Sequence, residues 1–197
     1  ENHGTVNGAT LTSDRFGNPN AAYAFDGQDD YIEILHDSSL DFSATESMTL
    51  SVWLNVPIMP ATGTEYQVTM KVDGWGSTTS GFQSVLFSNS QYTLRAKNGP
   101  GTPWIGNASP ILNPQTVYHI ASTIDGGIAK SYINGVLVNQ TDAGNAVIGP
   151  SISNLILGWN SLFVNDVTVA LNGTLDDVGL WNRALTTSEI QQLYSSD

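Results

Sequence analysis

Apolar residues recur at every second position along most of this chain, and that regularity excludes most ways it could fold. From Met48 to Val56, the side chains of Met48, Leu50, Val52, Leu54 and Val56 fall on one side, and those of Thr49, Ser51, Trp53 and Asn55 on the other. A period of two belongs to an extended strand with one buried face, whereas a helix repeats near 3.6. Tyr118, Ile120, Ser122 and Ile124 repeat the pattern over 118–125. Tyr132-Ile133-Asn134-Gly135-Val136-Leu137 reads as a tight hairpin, because Asn-Gly accepts the positive φ angles of a type I′ turn. Asp125-Gly126-Gly127 marks the preceding turn. Further strands are expected near 4–12, 21–26, 30–35, 66–72, 82–88, 91–97, 155–158 and 170–182. Short strands at roughly ten-residue spacing, broken by Gly, Pro and Asn, predict an all-β sandwich or barrel.

The segments 57–65, 73–81, 98–116 and 142–153 are rich in Gly, Pro, Ser, Thr and Asn and are expected to be long loops, since strand patterns resume after each. One short helix is expected at the C-terminus. Thr186 followed by Glu189 makes a capping box, Leu185 and Ile190 make a hydrophobic staple, and Ile190, Leu193 and Tyr194 form one apolar face. A helix this short must pack on the sheets to persist.

Composition narrows the partners. Eighteen acids against six bases give a net charge of −12, which repels phosphate backbones and anionic membrane surfaces, so nucleic acid is excluded as a partner. The absence of cysteine excludes disulfides, thiolate zinc sites and cysteine nucleophiles. No apolar run is long enough for a membrane-spanning helix, so membrane insertion is not expected. Only 12% of residues are charged, and uncharged polar residues take their place, as on many extracellular surfaces. At 197 residues, starting at Glu1, the chain reads as a single domain excised from a larger secreted or cell-surface protein. Without disulfides, a bound metal is the natural staple for such a domain.

Four segments in order carry a family resemblance. Ala22-Tyr23-Ala24-Phe25-Asp26-Gly27-Gln28-Asp29-Asp30-Tyr31-Ile32 resembles the opening motif of laminin-G-like jelly-roll domains, in the concanavalin A-like lectin and glucanase superfamily. Met48 to Leu54 resembles the next strand. Tyr118 to Gly126 with Tyr132-Ile133-Asn134-Gly135 resembles the central hairpin. Gly173-Thr174-Leu175-Asp176-Asp177-Val178, then Trp181-Asn182-Arg183-Ala184-Leu185, resembles the close. The resemblance implies two stacked antiparallel sheets, often a structural calcium ion, and commonly carbohydrate or extracellular protein binding.

Acids come first among the candidate site residues. The resemblance places the opening and closing motifs near each other, which would gather Asp26, Asp29, Asp30, Asp176 and Asp177. Five gathered carboxylates repel unless a cation neutralises them, and hard oxygen ligands favour Ca²⁺. Asp176 would share a strand face with Val178 and Leu180, and a carboxylate on a core face needs a metal or backbone donors. In the other reading, Asp26 and Asp29 cap turns beside Gly27, while Asp30 and Asp177 are solvated.

Aromatics come second. Trp75, Trp104 and Trp159 lie among Gly and Asn residues, outside regular strands. Sugar rings stack on indoles, and neighbouring polar groups bond their hydroxyls. Lys71 and Asp73 flank Trp75; Tyr92, Arg95 and Asn98 precede Trp104; Asn160 follows Trp159. The alternative is that each indole anchors its own loop. Trp53 and Trp181 sit in strand motifs and are expected in the core, and His119 is expected to be structural.

Catalysis on this architecture by a retaining glycosidase would place Glu-x-Asp-x-x-Glu on one strand, and none of Glu1, Glu33, Glu46, Glu65 and Glu189 begins that pattern. A lyase set could be assembled from Gln67 or Gln83 with His119, Arg95 and Tyr92, but no spacing selects it. The leading expectation is a calcium-stabilised, non-catalytic module that binds a glycan or polysaccharide. The others are an adhesion or spacer domain facing extracellular protein, and a polysaccharide-cleaving enzyme.

Overall fold

The strand from Met48 to Asn55 shows how the alternation is used. Leu50, Val52 and Leu54 are buried in the common core, while Ser51 and Trp53 face away from it. The computed structural model describes residues 2–42, 47–74, 79–159 and 169–196. In chain order its strands are β1 (Gly4–Asn7), β2 (Thr10–Thr12), β3 (Ala22–Asp26), β4 (Tyr31–Ile34), β5 (Met48–Asn55), β6 (Glu65–Asp73) and β7 (Ser80–Phe87). There follow β8 (Gln91–Asn98), β9 (Ile105–Ile111), β10 (Tyr118–Asp125), β11 (Ile128–Ile133), β12 (Val136–Asp142), β13 (Leu155–Leu157) and β14 (Asn172–Trp181). One helix, α1 (Thr187–Ser195), closes the chain.

Two antiparallel seven-stranded sheets result, ordered β1-β4-β13-β6-β7-β8-β9 and β12-β11-β10-β5-β14-β3-β2. This is a jelly-roll sandwich. Ile32, Phe82, Leu86, Leu94 and Leu157 of the first sheet meet Leu50, Leu54, Ile120, Ile124 and Leu175 of the second in one core. No described helix is long and apolar enough to cross a membrane.

The two lateral sides of the sandwich are closed differently. Residues 4–12, expected as one strand, are two: β1 is an edge of the first sheet and β2 an edge of the second. The chain switches sheets at Gly8, whose φ of 78° suits glycine, and Ala9. On the opposite side the edges β9 and β12 face one another. Asn139 Nδ2 donates to the Ala108 carbonyl at 3.0 Å, and Thr141 Oγ1 to Asn107 Oδ1 at 3.3 Å. Strand β9 lies inside a segment expected to be loop; its Pro110 is tolerated because an edge strand can spare a donor.

Helix α1 begins as expected. Thr186 Oγ1 accepts from the Glu189 N–H, and Glu189 Oε2 accepts from the Thr186 N–H at 2.8 Å. Arg183 grips the same carboxylate at 2.6 and 3.0 Å, and these bonds hold the Glu189 carboxyl down to about 2. Leu185 and Ile190 pack with Ala121 and Tyr132 on the outer face of the second sheet. Trp53 and Trp181, expected in the core, lie on that same outer face. Trp53 pairs with Asp176 and His119, Trp181 with Thr49, and Tyr194 stacks on Trp53 at 5.7 Å.

Candidate functional site

The opening acidic motif folds back on itself. Gly27, at φ 79°, lets β3 turn directly towards β4. The Gln28 N–H donates to Asp26 Oδ1 at 2.8 Å, and the Asp26 N–H to Asp30 Oδ2 at 2.9 Å. Carboxylate oxygens of Asp26, Asp29 and Asp30 converge within 4.8 Å of one another. Asp30 is buried, and burial together with the charges of Asp26 and Asp29 raises its pKa. Gly8 lies against this carboxyl so closely that a Cβ there would stand 2.0 Å from Asp30 Oδ1. Three hard oxygen donors, one of them buried and repelled by its neighbours, are of the type that could hold a divalent cation such as Ca²⁺.

The closing acids do not join them. Asn172, not Asp176, pairs with Asp26, and four residues of strand put Asp176 roughly 13 Å further on. A bulge at Asp177, whose φ is 45°, shifts the register between Asp176 and Gly179. Asp176 therefore turns outward beside Trp53, while Val178 and Leu180 pack on the core. The expected shared face of Asp176, Val178 and Leu180 is thus corrected, and so is the placing of Asp176 and Asp177 among the metal ligands. Their cation is Arg15, whose Nη1 donates to Asp176 Oδ2 at 2.8 Å and Asp177 Oδ2 at 2.7 Å. Burial works against the guanidinium charge, but the bonds to Asp177 and Asp176 outweigh it and raise the Arg15 pKa. Its Cζ also lies 4.3 Å over the Trp53 ring.

His119 is locked nearby. Its ring is buried, Nε2 lies 2.8 Å from Ser51 Oγ, and burial plus the Arg15 charge push it down to about 4. It is a neutral structural imidazole at neutral pH.

The expected sugar-binding residues separate by the same period of two. Across the first sheet, Glu33, Ile156, Met70, Gln83, Arg95 and Gly106 form one row on the outer face. Arg95 lies 5.1 Å from the Trp104 ring centroid, and Lys97 Nζ lies 5.7 Å from it. With its amide turned to satisfy both ends, Gln83 accepts from Arg95 Nε at 3.1 Å. Burial lowers the Arg95 pKa and the charge of Glu65 opposes that shift. Trp104 remains 37% exposed. The middle of this face is closed: Met70, Gln67, Gln83 and Val85 are all buried.

Tyr92 and Asn98 differ from Arg95 by an odd number of positions and turn to the other side. Tyr92 is 1% exposed in the core, so its expected contact with ligand is corrected. Asn98 is half-buried against the chain at Gly149, where a Cβ would come within 2.7 Å of its Oδ1, so it does not share the Arg95 face as expected. Asp73 is consumed by the 151–153 turn. It accepts from Ser151 Oγ at 2.9 Å, Ile152 N at 3.1 Å, and Ser153 N and Oγ at 3.0 and 2.5 Å. Lys71 clamps the same turn from within, donating to the Ser151 and Ser153 carbonyls at 2.8 and 2.6 Å. Both are therefore structural where a ligand role was expected.

Trp159 meets Tyr31 edge to face at 5.6 Å, and its indole nitrogen is buried without a partner among the described residues. It follows β13, three strands from β8 and so roughly 14 Å from the Arg95 strand. Trp75 and Asn160 lie outside the described residues. Arg15 and Lys97 were not among the expected site residues; the signal was their rarity, since each is one of six bases among eighteen acids.

The family described as the concanavalin A-like lectin/glucanases superfamily matches residues 26–191. No curated protein sequence matches the chain. Among solved structures, the binding domain of Paraclostridial Mosquitocidal Protein 1 is similar at a TM-score of 0.79 and 19% identity, over 99% of this chain and 47% of its own. The botulinum neurotoxin serotype D ligand binding domain, solved in complex with N-acetylneuraminic acid, is similar at 0.75 and 13%, over 98% and 46%. The receptor binding domain of the botulinum neurotoxin C/D mosaic serotype is similar at 0.76 and 12%, over 98% and 46%. This chain spans less than half the length of each, and at these identities the likeness is one of fold.

Proposed function

The chain belongs to the concanavalin A-like lectin/glucanase superfamily, and on that premise we propose that it is a non-catalytic, calcium-stabilised carbohydrate-binding module of a secreted or cell-surface protein. The observation that carries this reading is the exposed Trp104 indole at the rim of the first sheet, flanked by Arg95 and Lys97. An indole face takes the C–H face of a pyranose, and the neighbouring cations bond hydroxyls or acidic substituents. The buried middle of the sheet confines contact to this rim, which suits a glycan end or branch more than a polymer laid across a groove. The similar solved structures are binding domains, one in complex with N-acetylneuraminic acid, and that supports a binding role.

Calcium would be held by Asp26, Asp29 and Asp30, relieving the repulsion that raises the Asp30 pKa. The ion would fix the β3–β4 turn. A glycan array probed with the intact protein, with and without EDTA, tests the reading. Retention of a defined glycan class that disappears in Trp104→Ala supports it. Retention of no glycan would leave an adhesion or spacer domain, and release of reducing ends from a polysaccharide would make it an enzyme.

A further inference from the structure

Half of the chain's six bases are spent on its own acids: Arg15 on Asp176 and Asp177, Lys71 on Asp41, and Arg183 on Glu189. Arg95 and Lys97 stand two positions apart on β8, and both lie against the exposed Trp104 indole. Among the described residues no carboxylate is ion-paired to Arg95. Glu65, the acid whose charge is felt there, is held towards its neutral form by burial, against the pull of Arg95.

The Arg95 guanidinium is fixed from beneath. Gln83 Oε1 accepts from its Nε at 3.1 Å and its Nη2 at 3.3 Å, and the Gln83 amide nitrogen donates to Gln67 Oε1 at 3.3 Å. Gln67 Nε2 in turn donates to the Thr69 and Ser84 carbonyls at 2.7 and 3.0 Å. Both glutamines are buried. A buried chain of amides that ends on one cation sets where its remaining N–H groups point. Arg95 is partly exposed, and its Nη1 has no acceptor among the described residues and is open to solvent. A guanidinium 5.1 Å from the indole centre is within reach of an exocyclic group on a sugar stacked there. Its N–H groups bond a carboxylate or sulfate about twice as strongly as a neutral hydroxyl. The net charge of −12 repels an extended polyanion. Charges are screened over about 8 Å at physiological ionic strength, so a single acidic sugar at the rim responds mainly to the two bases beside it.

We propose that the Trp104 rim selects glycans ending in one acidic sugar, whose carboxylate or sulfate ester is bonded by Arg95 with Lys97 beside it. This rests on the reading of that rim as a glycan site. The test is an array on which each glycan ending in a uronate or a sulfate ester stands beside its neutral counterpart, the methyl ester or the desulfated form. The full chain is then titrated with the retained pairs. At least one acidic glycan is expected to bind about tenfold more tightly than its neutral counterpart, the scale of a hydrogen bond to a charged group. The uronate and sulfate arms identify the oxyanion. The preference is expected to shrink several-fold between about 50 and about 500 mM NaCl. Trp104→Ala abolishes retention of both members of a pair, and Arg95→Gln abolishes the preference. Lys130→Gln, which removes the same charge from the second sheet, leaves the preference unchanged, with circular dichroism reporting that each variant is folded. Should Arg95→Gln not fold, the salt dependence of the unaltered chain decides. Trp104-dependent retention of neutral members as tight as the acidic ones would overturn this inference and leave the glycan reading standing. Retention of no glycan would overturn both. A preference that survives Arg95→Gln or is indifferent to salt would overturn the assignment to Arg95, and retention of heparin without any short acidic glycan would overturn the selection of a single terminal sugar.

Discussion

The chain gathers acids at two places and answers their repulsion in two ways. At the closing motif, Asp176 and Asp177 share the guanidinium of Arg15, which arrives from 161 residues away in sequence. At the opening motif, Asp26, Asp29 and Asp30 converge with no Lys or Arg ion-paired to them among the described residues, and Asp30 answers with a raised pKa. Like charges brought together must recruit a cation or a proton. Where the fold supplies the cation, the cluster is structural; where it does not, the cluster is left to respond to solution.

The strongest way to break this contrast is to remove the internal cation. Arg15→Met should cost about 3 kcal/mol, because Asp176 stays buried without its partner. Urea unfolding measures it, and a loss below about 0.5 kcal/mol, the scale of an ordinary surface substitution, would mean the pair is not a buried one. Supplying the external cation should act on the other cluster with similar size. Calcium at a hundredfold excess over Kd should add about 2.7 kcal/mol, or roughly 5–10 °C in Tm for a domain of this length. Asp30→Asn should abolish that gain and Asp177→Asn should leave it, as read by calorimetry with and without EDTA.

Acid sharpens the contrast further. His119 titrates near 4 in the folded chain against 6.5 when free, so the unfolded chain takes up a proton that the folded one refuses. Stability should therefore fall as the pH drops from about 6.5 towards 4, as followed by urea midpoints. The decline should be shallower in His119→Gln, and in Arg15→Met as well, since the Arg15 charge is part of what depresses the ring. Asp30 has the opposite sign: its raised pKa makes protonation favour the fold. The smallest effect concerns α1, whose following residue Ser196 accepts from Arg15 Nη2 at 3.4 Å. Thr186→Ala should cost about 1 kcal/mol by removing the cap, measured by thermal unfolding.

The strands and the C-terminal helix were legible because they are written in short-range signals. Asn134-Gly135 fixed a hairpin through two positive φ angles, and Thr186 with Glu189 fixed a helix start through bonds to its own backbone. The site was legible only in part. Asp26, Asp29 and Asp30 lie within one turn of each other, so their meeting is local. The tie between Arg15 and Asp176 depends on a bulge at Asp177 that reverses which side Asp176 faces, and no local pattern announces it. Tyr92 and Asn98 could have been set apart from Arg95 by counting positions, since side chains an odd number of residues apart leave a strand on opposite faces. Trp53 could have been placed the same way. Its alternation with Val52 and Leu54 puts it outside, but an indole in a strand invites assignment to the core.

The closing of the sandwich's two sides bears on how copies of this molecule behave when crowded. A sheet grows into a fibre by offering the unpaired backbone of its outermost strand to a neighbour. On one flank the outermost strands are only four and three residues long. On the other, β9 and β12 are turned towards each other and tied by Asn139 and Thr141. Neither flank makes a good template, so concentrated solutions should stay clear of ordered polymer until the ties of Asn139 and Thr141 are cut.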